Sequence, residues 1–219
     1  MSAAAVLIEP IDVRNRLAEL GLEEEDLRFA VERGAAAAFE CTDNHPIQAA
    51  GFYRWSEAIA AKRQRLIPKG WEQINDGGLP LTVNANGTIA ITVAGGDEFT
   101  GNPDKNPSTK SSKGPRTANV VADNSQLPLL FDGVPLRPEH LTNSRGRMTW
   151  LLLVHQHDVS REIKCELSRP TKMSDDSRVD GWAERIILAP IPFDGDAIDV
   201  PVDDAPQTPE LNIEIPRRA

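Results

Sequence analysis

The chain has 219 residues, 40% of them hydrophobic and 26% charged, with a formal net charge of −9. That length and composition fit a globular protein with one sizeable core or two small ones. No apolar run approaches the roughly 18 to 20 residues of a membrane span, and the acidity excludes a whole-surface attraction to nucleic acid or anionic lipid.

The opening MSAAAVLIEPIDV lacks a basic leader and meets Glu9 too early for a secretory signal. Asp12 offers an N-cap to a first helix with Val13, Leu17 and Leu20 on one face and Gly21 as its terminator. The acids of LEEEDL favour the start of a second helix, on which Leu27, Ala30, Val31, Ala35 and Ala38 recur at helical spacing. Gly34 either breaks that helix or marks a close backbone approach. After the turn CTDNHP, a third helix is expected with Phe52, Trp55, Ile59 and Leu66 inward, ended by Pro68 and Gly70. Arg54, Lys62, Arg65 and Lys69 then fall along its outer side.

Beyond residue 70 the pattern turns β. LTVNANGTIAITVA holds two strand-like runs around Asn86-Gly87, a strong hairpin signal. From 96 to 124 the sequence is polar and aperiodic, and a stretch of that length is usually functional or disordered. LPLLFDGVPL reads as a short buried strand or turn. Trp150 to Val154 form an apolar run, and Ile163, Cys165 and Leu167 alternate with Glu162, Lys164 and Glu166, making a second hairpin. WAERIILAPI adds one more strand. The tail from 194 to 219 is acidic and proline-rich and contributes −5 of the net charge; alone it is expected to be disordered.

The fold expected is α+β: an N-terminal helical layer, residues 1–70, packed on a mainly antiparallel sheet from two hairpins, residues 71–193, with a disordered acidic C-terminal tail, residues 194–219. The helices and the sheet are expected to form one domain. The two cysteines, Cys41 and Cys165, stand in no metal-type spacing and indicate a reducing, cytoplasmic setting. Abundant alanine, arginine and aspartate is the composition of proteins from high-GC bacteria.

Chemistry-bearing residues are few. Lys105, Lys110, Lys113 and Arg116 punctuate the polar stretch among glycines, serines and threonines, a mixture suited to phosphate oxygens. Arg145 and Arg147 extend that set if the fold brings them near. The bland reading is a solvated loop, since neither a Walker loop nor a dinucleotide fingerprint is present. Three helices before an Asn-Gly hairpin also fit a winged helix, but the acidic start of the second helix would repel a phosphate backbone.

His155 and His157 share a strand face and give two candidate metal ligands where zinc needs three or four. Glu162 and Lys164 match the Glu-x-Lys element of metal-dependent nucleases, with Asp158 as the neighbouring carboxylate; an exposed charged strand face explains them completely and is the favoured reading. No serine or cysteine nucleophile has a partner at the required spacing. Leu211, Ile213 and Ile215 alternate with polar residues, the pattern of a segment that adds to a sheet edge in a partner.

These features predict no cofactor and favour a non-enzymatic accessory or adaptor subunit of a bacterial assembly. Such a subunit would bind a partner protein and touch nucleic-acid phosphates, without a membrane contact. A nuclease-like component of a defence or mobile-element module is the competing expectation.

Overall fold

The computed structural model describes residues 4–131, 147–157 and 160–193, with residues 127–131 as backbone alone. Four helices and one eight-stranded mixed sheet are present among them. In chain order these are β1 (Ala5–Leu7), α1 (Pro10–Glu19), α2 (Glu24–Phe39), α3 (Ala49–Leu66), β2 (Glu72–Asp76), β3 (Leu79–Val83), β4 (Ile89–Gly95), α4 (Pro115–Phe131), β5 (Met148–His157), β6 (Glu162–Met173), β7 (Val179–Ile187) and β8 (Ile191–Pro192). The sheet order is β1-β7-β6-β5-β4-β3-β2, with β8 beside β6. The fold is therefore α+β.

Two details of the sheet differ from expectation. It is mixed rather than built from two antiparallel hairpins: β4 pairs with β5, and β1 with β7, in parallel. Parallel neighbours need a crossover, and α4 supplies it from residues expected to be loop up to 124 and then strand or turn. Antiparallel ladders join β2 to β3, β3 to β4, β5 to β6 and β6 to β7. The Asn86-Gly87 turn does link β3 to β4, with Gly87 at φ 73°, the left-handed conformation that favours glycine.

Helices cover both faces. Ile91, Trp150, Leu152, Cys165, Leu167 and Ile186 pack against Val13, Leu17, Leu27, Val31 and Ile59 of α1–α3. The opposite face buries Leu151, Leu153, Val179 and Trp182 against Val121 of α4. Strand alternation splits β5 between these two cores, which is why its apolar run is continuous. Residues of α1–α3 and of the sheet fall in one buried cluster.

Within the helical layer, α2 and α3 pack closely because small residues meet. A Cβ built on Gly34 would lie 2.4 Å from the Arg54 carbonyl oxygen and 3.0 Å from Ala58 Cβ. Gly34 marks a close approach, not a helix break. Buried Asp26 on α2 accepts from Arg65 Nε at 3.0 Å and Lys69 Nζ at 2.6 Å.

That ion-pair set corrects the basic stripe expected on the outer side of α3. Arg65 and Lys69 are turned to Asp26, and Lys62 points inward, fully buried, its Nζ donating to the Ile91 carbonyl at 2.6 Å. Burial drives the Lys62 ammonium well below the ordinary lysine range, with the nearby charge of Arg63 adding to the shift.

No helix among the described residues is long and apolar enough to cross a membrane. The tail from 194 onward, with Leu211, Ile213 and Ile215, lies outside the described residues, as do Arg145 and Asp158.

Candidate interaction surfaces

Residues 96–114 carry the sequence's cation-rich stretch from the end of β4 to the start of α4. Hydrogen bonds fix this strap along its length. Asp97 closes its first turn, accepting from Phe99 N at 3.1 Å and Ser108 N at 2.8 Å. Trp182 Nε1 donates to the Pro107 carbonyl at 2.8 Å, Thr109 N to the Val179 carbonyl at 3.0 Å, and Lys110 N to the Gly95 carbonyl at 2.9 Å.

The strap is also gripped from below. Arg185 and Glu166 form a buried bidentate pair, with Nε–Oε1 at 2.9 Å and Nη2–Oε2 at 2.6 Å. The free edge of the guanidinium donates to the Asn102 and Lys105 carbonyls at 3.0 and 2.8 Å, and Gly101 N donates to Glu166 Oε2 at 2.9 Å. Ser168 Oγ donates to Glu166 Oε1 at 2.7 Å. Glu166 and Arg185 therefore hold backbone, and neither is presented to solvent.

The cations on the strap do not converge with those beyond it. Lys105 and Lys110 are exposed. Lys113 is half-buried beside Ser111, its Nζ 3.3 Å from the hydroxyl, and burial lowers its pKa to about 8. Arg116 lies over Gly77 in the β2–β3 turn, 3.7 Å from Asp76. Arg147 donates to the Gly87 carbonyl at 3.2 Å in the β3–β4 turn, so Arg116 and Arg147 sit at opposite ends of β3.

The histidine and Glu-x-Lys candidates occupy the strand face beneath the strap. His155 pairs across the ladder with Lys164, and His157 with Glu162. His155 Nδ1 lies 3.2 Å from the Gly96 carbonyl; burial lowers its pKa despite that bond. The two imidazole rings are 6.3 Å apart, and His157 Nδ1 meets Ser160. Lys164 runs under Gly101, with its Cβ 3.1 Å from where a Cβ on that glycine would stand. Among the described residues, no three histidine, cysteine, aspartate or glutamate side chains are grouped to hold a metal.

The surface that sequence reasoning missed is at the start of α3. Phe52 and Trp55, expected inward, are 57% and 37% exposed, and Tyr53 and Ile47 are 41% and 56% exposed. Burial on α3 begins only at Ala58. The rings form one cluster: Phe52 lies 5.9 Å from Tyr53 and 6.0 Å from Trp55, and His45 stacks edge-on to Tyr53 at 6.3 Å. Aromatic residues are 5% of the chain, yet three fall within four positions here. At about 100° per residue, positions 52 and 55 lie about 60° apart, the spacing of one inward face, so their periodicity alone does not mark them as exposed.

Tyr53 also borders a cleft of about 300 Å³ between α2 and α3, lined by Arg33, Glu40, Cys41, His45 and Glu57 among others. No protein-family model matches the chain, and neither a curated protein nor a solved structure is similar to it.

Proposed function

We propose that this chain is a non-enzymatic, cytoplasmic accessory subunit of a bacterial assembly, and that it binds a partner protein through the start of α3. The observation that carries this reading is the solvent-facing cluster of Phe52, Tyr53 and Trp55, with exposed Ile47 just before the helix. Contiguous exposed apolar surface is costly in water, and its usual use is protein contact. Aromatic side chains are the anchors that dominate such contacts. Tyr53 of that cluster also lines the α2–α3 cleft together with charged Arg33, Glu40 and Glu57, a mixture of apolar and charged surface usual at interfaces.

A nucleic-acid contact is a subsidiary part of the proposal and runs along the strap, through Lys105 and Lys110, with Lys113 and Arg116 behind them. The competing reading is a nuclease-like component centred on Glu162 and Lys164. It draws on one observation, that both side chains share the β6 face under the strap with His155 and His157. Glu166, the next carboxylate on that face, is engaged by Arg185.

The test is affinity capture from the native cell with the wild-type chain and with a Phe52→Ser/Trp55→Ser variant, each with and without nuclease treatment. A protein captured by the wild type in both conditions, and lost by a variant that melts like the wild type, supports the reading. Equal capture by both chains overturns it, and capture that vanishes with nuclease assigns the contact to nucleic acid.

A further inference from the structure

The aromatic cluster and the α2–α3 cleft are one continuous surface, because Tyr53 belongs to both. We infer that this surface takes a basic partner segment, with a lysine or arginine side chain in the cleft and an adjacent apolar residue on Phe52 and Trp55. The inference rests on the partner-binding reading and adds the chemistry of the partner.

Charge complementarity selects the occupant. The cleft is lined by Glu40 and Glu57, and among the described residues neither has a hydrogen bond or ion pair through its side chain. It opens at the C-terminal end of α2, the negative end of that helix's dipole. The last turn of α2 contains no basic residue to offset that end. Among the described residues, Arg33 is the one lysine or arginine lining the cleft against these. The exposed face of Tyr53 adds an electron-rich ring at the mouth, favourable to an ammonium or guanidinium.

Size weighs against the other occupants. A volume of about 300 Å³ lies at the bottom of the range for small-molecule sites. It suits one long side chain better than a cofactor. The exposed aromatic area is on the order of a few hundred Å², short of the roughly 800 Å² per partner of a stable protein pair. A second copy of this chain held by this face alone is therefore disfavoured against a short segment.

The experiment uses the full chain labelled with ¹⁵N and two synthetic probes. One is an acetylated, amidated 12-residue peptide of leucine, phenylalanine and arginine; its twin has glutamate for each arginine. The cationic probe is expected to shift the Trp55 indole signal and the amides of Glu40, Tyr53 and Glu57. The other three tryptophans, Trp71, Trp150 and Trp182, are buried, so their indole signals serve as internal controls.

A Glu40→Gln/Glu57→Gln variant is expected to bind the cationic probe about three- to tenfold more weakly, and its melting temperature reports that the fold is retained. Equal binding of the two peptides overturns the inference, as does failure of the cationic probe to shift these signals. Loss of charge selectivity with Trp55 still shifting would leave the partner-binding face standing; failure of both this shift and the capture experiment would remove both.

Discussion

Arg185 forks onto Glu166 at 2.6 and 2.9 Å with both side chains buried, and the same guanidinium holds the Asn102 and Lys105 carbonyls. The pair converts a glycine- and serine-rich stretch, which has few apolar contacts of its own, into a fixed layer over the sheet. Its geometry is fully satisfied, so its value lies in the backbone it positions as much as in the charge contact itself.

Breaking it from one side leaves an uncompensated buried charge. Arg185→Met is expected to destabilise the fold by about 3–5 kcal/mol, whereas Arg185→Met/Glu166→Leu costs clearly less. Urea denaturation measures both. Amide exchange at Gly101 in the single variant should rise before global unfolding, because its acceptor Glu166 and the adjoining strap carbonyls lose the guanidinium that fixes them.

Lys62 sets a pH dependence of stability. Unfolded, it carries a proton below its ordinary pKa of 10.5; folded, burial lowers that value well below this. Unfolding between the two values takes up a proton, so stability rises with pH by up to about 1.4 kcal/mol per unit from this group. Lys62→Met removes the proton uptake. The variant should be more stable than wild type at neutral pH and have a flatter stability–pH profile, read by thermal melts from pH 6 to 9.

At Gly34 the helix crossing leaves no room for a side chain, since a Cβ there would stand 2.4 Å from the Arg54 carbonyl oxygen. Alanine would gain up to about 1 kcal/mol in helix propensity, but the clash involves backbone and forces the helices apart. Gly34→Leu is expected to cost about 1–3 kcal/mol, measured as a lower urea midpoint.

The adaptor and nuclease readings diverge at β6. Glu162→Ala/Lys164→Ala should leave partner capture and any cellular phenotype unchanged. Loss of a magnesium-dependent cleavage of single- or double-stranded DNA or RNA in that variant would instead establish the nuclease reading.

Much of the architecture was legible in the sequence. The spacing of Val13, Leu17, Leu27 and Val31 predicted helices that do bury those residues, and Asn86-Gly87 predicted the β3–β4 turn. What failed has physical causes. The fourth helix contains Asn119, Asp123, Asn124, Ser125 and Pro128, residues of low helix propensity. Its inner surface uses a polar side chain: Asn124 donates to the Thr149 and Pro170 carbonyls and accepts from Thr149 N. No apolar period could announce that contact. Missing α4 meant missing the parallel β4–β5 pair.

Glu166 and Arg185 were illegible for a related reason. Both fall on alternating strand positions that normally face water, and only the overlying strap makes that face interior. Phe52 and Trp55 misled in the other direction. Phe52 lies one heptad before buried Ile59, which lies one before buried Leu66, but burial on α3 stops short of its first turns. The periodicity is real and outlasts the surface it packs on.

The most direct test of the central claim is site-specific photo-crosslinking in the native cell, with p-benzoylphenylalanine at position 52 or 55 and, as control, at exposed Gln73 on β2. The account predicts a discrete protein adduct at 52 and 55 that is absent at 73. No protein adduct at either α3 position, or the same adducts at all three, would contradict it.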